Sequence, residues 1–214
     1  MVDVLDNLPK VQAASKSAEH GPHPEDFNQV YTWQNKWEFQ KLLEFYFERA
    51  PKRVLELGTA GGGTLYWWLD EATADATVVS VDSYSKDKGW YGIKDNRHLY
   101  SEWTHTDTTL HVIEGTTWHP ETWKKVALLG PFDWIFIDAG HNYEEVNADW
   151  VTYRRMAAPG AIVAFHDIFT QDDGLVKNEV RILWQQIQRQ GYLTREIVAL
   201  TGAYAWGIGV VYLP

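Results

Sequence analysis

The segment RVLELGTAGGGT, residues 53–64, constrains the fold more than any other part of the sequence. Residues 53–57 are typical of a short buried strand, the glycines predict a tight turn, and residues 64–69 predict a helix. A strand, a glycine turn and a helix start form a cradle, because glycines let a ligand approach the backbone and the first helical N–H groups point at it. The predicted cradle residues are Glu56, Gly58, Thr59, Gly61 and Gly63.

Two classes of cofactor compete for this cradle. A dinucleotide fold uses G-x-G-x-x-G and places a pyrophosphate at the helix start, whereas the glycines here stand at positions 58, 61, 62 and 63. Glu56 would also repel a pyrophosphate. A cationic ligand such as S-adenosylmethionine, with its sulfonium and ammonium groups, suits this carboxylate better. An NAD-dependent oxidoreductase is the weaker alternative, and a cofactor-binding protein without turnover is a third.

Apolar strand-like segments alternate with helix-like segments along the chain, which predicts an α/β fold with a mostly parallel sheet covered on both faces. Residues 1–32 are polar and are predicted to form an arm or lid, and residues 83–110 a substrate-side insertion with its own helix. The predicted strands are 53–57, 77–81, 110–113, 132–137, 161–165, 193–200 and 207–213; further helices are predicted at 33–49, 95–103, 118–129, 174–190 and after a cap at Asn142.

Polar residues follow the predicted strands, at the point where each strand ends. Ligands of open α/β sheets bind outside the carboxyl ends of the strands, so these residues are candidates for the site. Asp82, after the second strand, is predicted to accept hydrogen bonds from ribose hydroxyls. The residues at the strand ends are Glu56, Asp82, Glu114, Asp138, His166 and Asp167.

The residues after strands four and five indicate acid–base or metal chemistry. Two nearby carboxylates, Asp138 and Asp167, are costly unless a proton or a cation separates them. With a nitrogen of His166 they would bind Mg²⁺ or another divalent cation such as Mn²⁺, which could lower the pKa of a bound hydroxyl. His141, three residues after Asp138, is the preferred general base. His141 and Asp138 are therefore the predicted catalytic residues.

Composition limits the class of partner. The net charge is −10 and no dense basic stripe is present, which argues against a nucleic-acid substrate. There are no cysteines, so disulfides and thiol catalysis are excluded. No long apolar run or signal-peptide core is apparent, so we expect no membrane span and a cytoplasmic location. Twelve Trp and eleven Tyr suit core packing or pocket walls, and exposed aromatic residues are compatible with a homo-oligomer.

Two motifs resemble a known family. The pattern E-x-G-x-x-x-G from Glu56 to Gly62 resembles motif I of the class I S-adenosylmethionine-dependent methyltransferases. The segment FIDAGHNYEEV, with PGAIVAFHDI further on, resembles the metal-dependent O-methyltransferases. Within these it is most similar to the branch of sugar O-methyltransferases and cephalosporin-hydroxylase-like proteins, methyltransferase family 24.

This resemblance implies a Rossmann-like domain over residues 33–214, with seven strands of which one is antiparallel. It implies S-adenosylmethionine as the cofactor, with Gly115, Thr116 and Thr117 beside the adenine and Asp138 within the cofactor site. Asp138 and Asp167 match the metal positions of the family, whereas His166 replaces an acid. The implied activity is O-methylation of a small-molecule hydroxyl, on a phenol, a sugar or a natural product. N-methylation stays open.

Overall fold

The computed structural model describes residues 34–84, 95–169, 178–199 and 206–214. The predicted arm, residues 1–32, and residues 85–94 of the predicted insertion lie outside this part of the chain. At its centre is one seven-stranded sheet in the order β3-β2-β1-β4-β5-β7-β6. The strands are β1 (Arg53–Leu57), β2 (Thr77–Asp82), β3 (Thr109–Glu114), β4 (Phe132–Ile137), β5 (Ala157–Phe165), β6 (Leu193–Ile197) and β7 (Ile208–Tyr212).

Strand direction confirms the predicted fold class. The neighbours among β1 to β5 all pair in parallel, and β7 is antiparallel to both β5 and β6. One strand of seven therefore runs against the others, as in a Rossmann-like class I methyltransferase. The central strands are apolar on both faces because helices cover both, which is the burial expected of a parallel sheet.

Six α-helices flank the sheet in the described residues. The first three pack in one core cluster and the last three in another, on the opposite face. The helices are α1 (Lys36–Arg49), α2 (Gly63–Asp70), α3 (Arg97–Trp103), α4 (Pro120–Ala127), α5 (Tyr143–Tyr153) and α6 (Val180–Arg189), with a 3₁₀ turn at Arg154–Met156. None of them is long and apolar enough to cross a lipid bilayer.

Side-chain caps set where several helices begin. Asn35 accepts hydrogen bonds from two backbone N–H groups of α1, and the side chain of His119 accepts one from α4, where Pro120 takes the first position. Asn142 caps α5 through the N–H of Glu145, as its spacing predicts. These caps place α1 and α4 two or three residues later than the sequence pattern predicted. Of the predicted helix 174–190, residues before 178 lie outside the described part.

Strand five is longer than predicted. It begins at Ala157 instead of residue 161 and runs through Pro159 and Gly160, two residue types that are uncommon inside strands. The register between β4 and β5 shifts near Phe132, and Gly160 has a φ of 70°. A bulge with a glycine in the left-handed region lets the strand continue through a sequence that otherwise ends it.

Tryptophan packing fixes α2 against the sheet. Trp68 is fully buried and its ring lies 5.0–5.8 Å from those of Tyr46, Trp134 and Phe136. The hydroxyl of Tyr46 donates to the carbonyl of Trp68 at 2.9 Å, so this ring has its polar group satisfied within the core. The start of α2, and with it the glycine turn, is thereby held in place over the end of β1.

Candidate active site

The glycine turn and the end of β4 touch. Gly58 has a φ of 87°, and its N–H donates to the carbonyl of Val81 at 2.9 Å. A Cβ at this position would lie 1.9 Å from the carbonyl oxygen of Asp138, so no residue with a side chain fits without a backbone shift. The cradle after β1 and the polar residues after β4 therefore belong to one site.

Glu56 lies beneath the turn and is fully buried. Its carboxyl group accepts hydrogen bonds from the hydroxyls of Thr59 and Thr64 and from the indole N–H of Trp68. Burial raises the pKa of Glu56 to about 8 although these three donors lower it. Burial therefore disfavours a negative charge on Glu56, and its observed contacts hold the turn together. A direct contact with the cofactor stays a prediction.

Asp82 lies at the end of β2 and caps the same turn. One carboxylate oxygen accepts from the N–H groups of Thr59 and Ala60, each at 2.8 Å, and the other accepts from the N–H of Tyr84 at 2.9 Å. Ala60 has a φ of 47°. Asp82 is thus half-buried beside the turn, and its role as a ribose ligand stays a prediction.

Helix α3 covers the other side of the glycines. The side-chain amide of Asn96 donates to the carbonyl of Gly61 at 3.0 Å. A Cβ on Gly62 would lie 2.7 Å from the ring of Tyr100, so glycine permits this approach. Gly63 is the first residue of α2. The described end of the 83–110 segment therefore contacts the cradle directly.

The residues expected beside the adenine divide between two environments. The N–H of Gly115 donates to the carbonyl of Asp82 at 2.9 Å, which places it at the site, and Thr116 follows in the same loop. Thr117 is buried, and its hydroxyl donates to Asp149 of α5 at 2.9 Å. The side chain of Thr117 therefore lies between helices, away from the strand ends.

Two histidines and two carboxylates meet after β4 and β5. Nε2 of His141 lies 2.6 Å from Oδ2 of Asp167. Nδ1 of His166 lies 3.3 Å from Oδ1 of Asp138 and 3.3 Å from Oδ2 of Asp167. Asp167 has a φ of 64°, an uncommon conformation for a residue with a side chain, and such conformations cluster at functional sites.

The charges of this group explain its protonation. Burial lowers the pKa of His166, but the adjacent carboxylates of Asp167 and Asp138 raise it well above its ordinary value. Burial likewise opposes a charge on His141, but the hydrogen bond that it donates to Asp167 and the charge of that carboxylate outweigh burial, so the pKa of His141 is raised. Despite its burial, Asp167 has a lowered pKa because both histidines face it.

The donor set after β4 and β5 fits a divalent cation. One ligand atom from each of Asp138, His141 and Asp167 lies within 4.8 Å of the others. Two carboxylate oxygens and one imidazole nitrogen suit Mn²⁺ better than Mg²⁺, which prefers oxygen ligands. The predicted third ligand was His166. The structure instead brings His141 into the set and places His166 between the two carboxylates.

Gln34, the residue before the Asn35 cap of α1, completes the site. Its side chain is 3% exposed, and its Nε2 donates to Oδ2 of Asp138 at 2.6 Å. Its Oε1 and Nε2 of His166 are buried atoms without a hydrogen-bond partner within the described ranges of the chain. Buried polar atoms without partners are rare in folded proteins. Both of these atoms belong to residues whose side chains contact Asp138.

With this geometry established, comparison with known proteins gives the family. Residues 55–168, half of the chain, match methyltransferase family 24, described as a methyltransferase domain. The chain belongs to this methyltransferase family. A comparison with curated protein sequences finds no match.

Solved structures similar to this methyltransferase share its fold. An O-methyltransferase from Bacillus cereus in complex with SAH is 15% identical, with a TM-score of 0.67 over 96% of this chain and 98% of that one. The O-methyltransferase TomG from Streptomyces achromogenes, in complex with SAM, is 15% identical, with a TM-score of 0.63 over 98% and 92%. MycE from the mycinamycin pathway, in complex with Mg, SAH and mycinamycin VI, is 16% identical, with a TM-score of 0.56 over 91% and 56%.

Sequence reasoning on this methyltransferase missed the residues that support the site. Gln34 carries no motif and lies 104 positions from its partner Asp138. Thr64 and Trp68 read as ordinary helix residues although both donate to Glu56. Thr64 and Trp68 lie eight and twelve positions after Glu56. Because they are four residues apart, they share one face of α2, and this spacing is the signal that could have placed both near the turn.

Proposed function

We propose that this methyltransferase transfers the methyl group of S-adenosylmethionine to a hydroxyl group of a small molecule. The observation that carries the proposal is the hydrogen bond of 2.6 Å between His141 and Asp167, in a group whose member Asp138 abuts the glycine turn at Gly58. A base and a cofactor cradle in contact are what methyl transfer to a hydroxyl requires.

The donor would lie across the turn. Gly58 and Gly62 let it approach the backbone, and the carboxylate of Asp82 is available to its ribose. The B. cereus structure contains SAH and the TomG structure contains SAM, on the same fold. Because burial disfavours a charge on Glu56, the negative charge that favours the cationic donor comes from the carboxylates of Asp82 and Asp138.

The reaction would be an in-line displacement. The acceptor oxygen attacks the sulfonium methyl carbon, the new O–C bond forms as the S–C bond breaks, and the electron pair of that bond stays on sulfur as SAH. The acceptor proton passes to Nδ1 of His141, while Asp167 holds Nε2 and stabilises the imidazolium that forms. Alignment of the two reactants supplies the rest of the rate enhancement.

A divalent cation would be held by Asp138, His141 and Asp167. When bound, it supplies a positive charge that lowers the pKa of the acceptor hydroxyl. In that state His141 is a ligand, so its roles as ligand and as base exclude each other. We assign the base role to His141, because its nitrogen is already hydrogen-bonded to Asp167.

The acceptor is proposed to be a phenol, a sugar or a glycosylated natural product. MycE was solved with mycinamycin VI on a related fold, and the net charge of −10 disfavours nucleic acid. The alternatives are an NAD-dependent oxidoreductase and an S-adenosylmethionine-binding protein without turnover.

Calorimetric titration of the purified chain with S-adenosylmethionine, SAH and NAD tests the cofactor. Binding of S-adenosylmethionine and SAH without binding of NAD supports the proposal. A chain that binds neither S-adenosylmethionine nor SAH refutes it. Formation of SAH is then followed with a panel of catechols, flavonoids, sugars and macrolide glycosides, with and without EDTA. Turnover that resists EDTA supports His141 as the base. SAH binding without any acceptor-dependent turnover favours the non-catalytic alternative.

A further inference from the structure

The carboxamide of Gln34 is fixed in one orientation. Its Nε2 donates to the Asp138 carboxylate at 2.6 Å, and the opposite orientation would bring two acceptor oxygens together. The next residue, Asn35, caps α1 by accepting from the N–H groups of Trp37 and Glu38 at 3.0 and 3.2 Å. The backbone that carries Gln34 is therefore anchored, and Oε1 has a defined position beside Asp138.

The oxygen of this carboxamide lacks a donor. Gln34 is 3% exposed, and its Oε1 has no hydrogen-bond partner among residues 34–84, 95–169, 178–199 and 206–214. An unpaired buried acceptor costs free energy, which a ligand that donates an N–H or O–H group would recover. Such a group in a site is thus a candidate for ligand recognition.

The surroundings of Oε1 indicate the charge of that ligand. Asp138 supplies a carboxylate next to it, and the carbonyl oxygen of Asp138 lies against Gly58, where the cofactor cradle begins. A carboxylate and a carboxamide oxygen together favour a cationic nitrogen donor over a neutral hydroxyl. The acceptor hydroxyl, in the proposed reaction, is served by His141, which is hydrogen-bonded to Asp167.

We propose that Oε1 of Gln34 accepts a hydrogen bond from the α-ammonium group of the methionine part of the donor, with Asp138 as the neighbouring counter-charge. This inference rests on the proposed function, because it takes S-adenosylmethionine as the donor. It assigns to the residue before α1 the selection of a ligand that carries an amino-acid group. Gln34 is then a binding residue for the donor and has no part in proton transfer.

The test compares two ligands on two proteins and needs no acceptor. The ligands are SAH and its analogue with hydrogen in place of the α-amino group. The proteins are the wild-type chain and Gln34→Met, which keeps the length of the side chain and removes its polar atoms. Gln188→Met is the matched control, since Gln188 is exposed and bonds to Glu196, away from the site.

The proposal predicts that Gln34→Met binds SAH about 10-fold more weakly than wild type, whereas the deaminated analogue binds both proteins equally. Gln188→Met should leave both affinities unchanged. An unchanged affinity of Gln34→Met for SAH overturns the inference, and so does an equal loss for both ligands. If Gln34→Met does not fold, the wild-type chain still decides, because equal binding of SAH and its deaminated analogue overturns the inference.

Failure of the inference and failure of the proposed function give different results. If wild type binds neither SAH nor S-adenosylmethionine, the proposed function falls and the inference with it. If wild type binds SAH, and Gln34→Met changes the affinities for SAH and for its deaminated analogue equally, only the assignment of Gln34 is wrong.

Discussion

The two halves of the site differ in how completely their polar groups are paired. In the glycine-turn half, both carboxyl oxygens of Glu56 and both of Asp82 accept hydrogen bonds from the chain itself. In the half after β4 and β5, Gln34 and His166 each keep a buried polar atom without a partner in the described residues. The carboxyl groups of the first half hold the turn together, and the second half keeps buried polar atoms that a ligand can pair with.

This difference separates stability from binding. A fully paired buried network rigidifies the fold, so damage to it should appear first in folding. Unpaired atoms cost stability, so changes to them should appear first in binding or turnover. The same protein can therefore show opposite responses to substitutions only a few ångströms apart, and the following predictions exploit this.

Gly58→Ala should cause the largest loss, because it forces the two halves apart. The new Cβ meets the Asp138 carbonyl and the residue is held at φ 87°, so we expect a loss of about 3–5 kcal/mol in the free energy of unfolding. Gly191→Ala is the control: its φ is 82° but nothing lies within 4 Å of the added carbon, and it should cost about 1 kcal/mol. Chemical denaturation measures both, and similar losses would refute the close contact.

His141→Asn should reduce turnover, which depends on the second half, without affecting cofactor binding at the first. We expect kcat to fall about 100- to 1,000-fold because the base is lost, with the Kd of SAH and the melting temperature nearly unchanged. His98→Asn, on the exposed side of α3, is the control. A kcat within a few-fold of wild type would show that another group takes the proton.

Thr64→Val should damage the first half alone. It keeps the shape of the side chain but removes one of the donors to Glu56, which should lower the free energy of unfolding by about 1–2 kcal/mol. The His141 substitution has the opposite signature, since it changes turnover and leaves stability unchanged. Thermal unfolding of Thr64→Val and His141→Asn tests this contrast. Equal losses of stability in the two variants would contradict it.

The raised pKa of Glu56 predicts a gradual dependence of the free energy of unfolding on pH, which is small for a change of one pH unit. Its folded pKa is raised to about 8 from 4.5, so the native state keeps a proton that the unfolded state has lost between these values. This contribution is complete below pH 4.5 and disappears as pH rises through 8, with a slope of about 1.4 kcal/mol per pH unit. Glu56→Gln should flatten the profile of unfolding free energy between pH 5 and 8, and an unaltered profile would contradict the burial of a protonated acid.

Local patterns in the sequence were enough to predict the sheet and the glycine turn. The turn follows from the glycines at 58 and 62, whose φ values of 87° and 88° few other residues adopt. The Asn142 cap was also legible, because its bond to Glu145 spans three residues. In each case the partners are close in sequence, so a pattern contains the interaction.

The remainder of the site depends on tertiary distance. Asp138 and Asp167 were identified by their strand ends, but which histidine approaches which carboxylate depends on the path of two loops. His141, predicted to be a base, joins the ligand set, and His166 lies between the acids. Nor could the sequence show that burial raises the pKa of Glu56, since that depends on α2 folding over it.

The buried carboxyl group of Glu38 has a consequence for engineering. Glu38 lies one helical turn after Gln34 and accepts from the N–H groups of Ala199 and Gly207 at 2.8 and 3.0 Å. The beginning of the first helix and the approach to the last strand thus share one anchor. Grafting a loop between positions 199 and 207 would weaken the hydrogen bonds to Glu38, which lies more than 160 positions before Ala199 in the chain. The change would then reach Asp138 through the neighbouring Gln34.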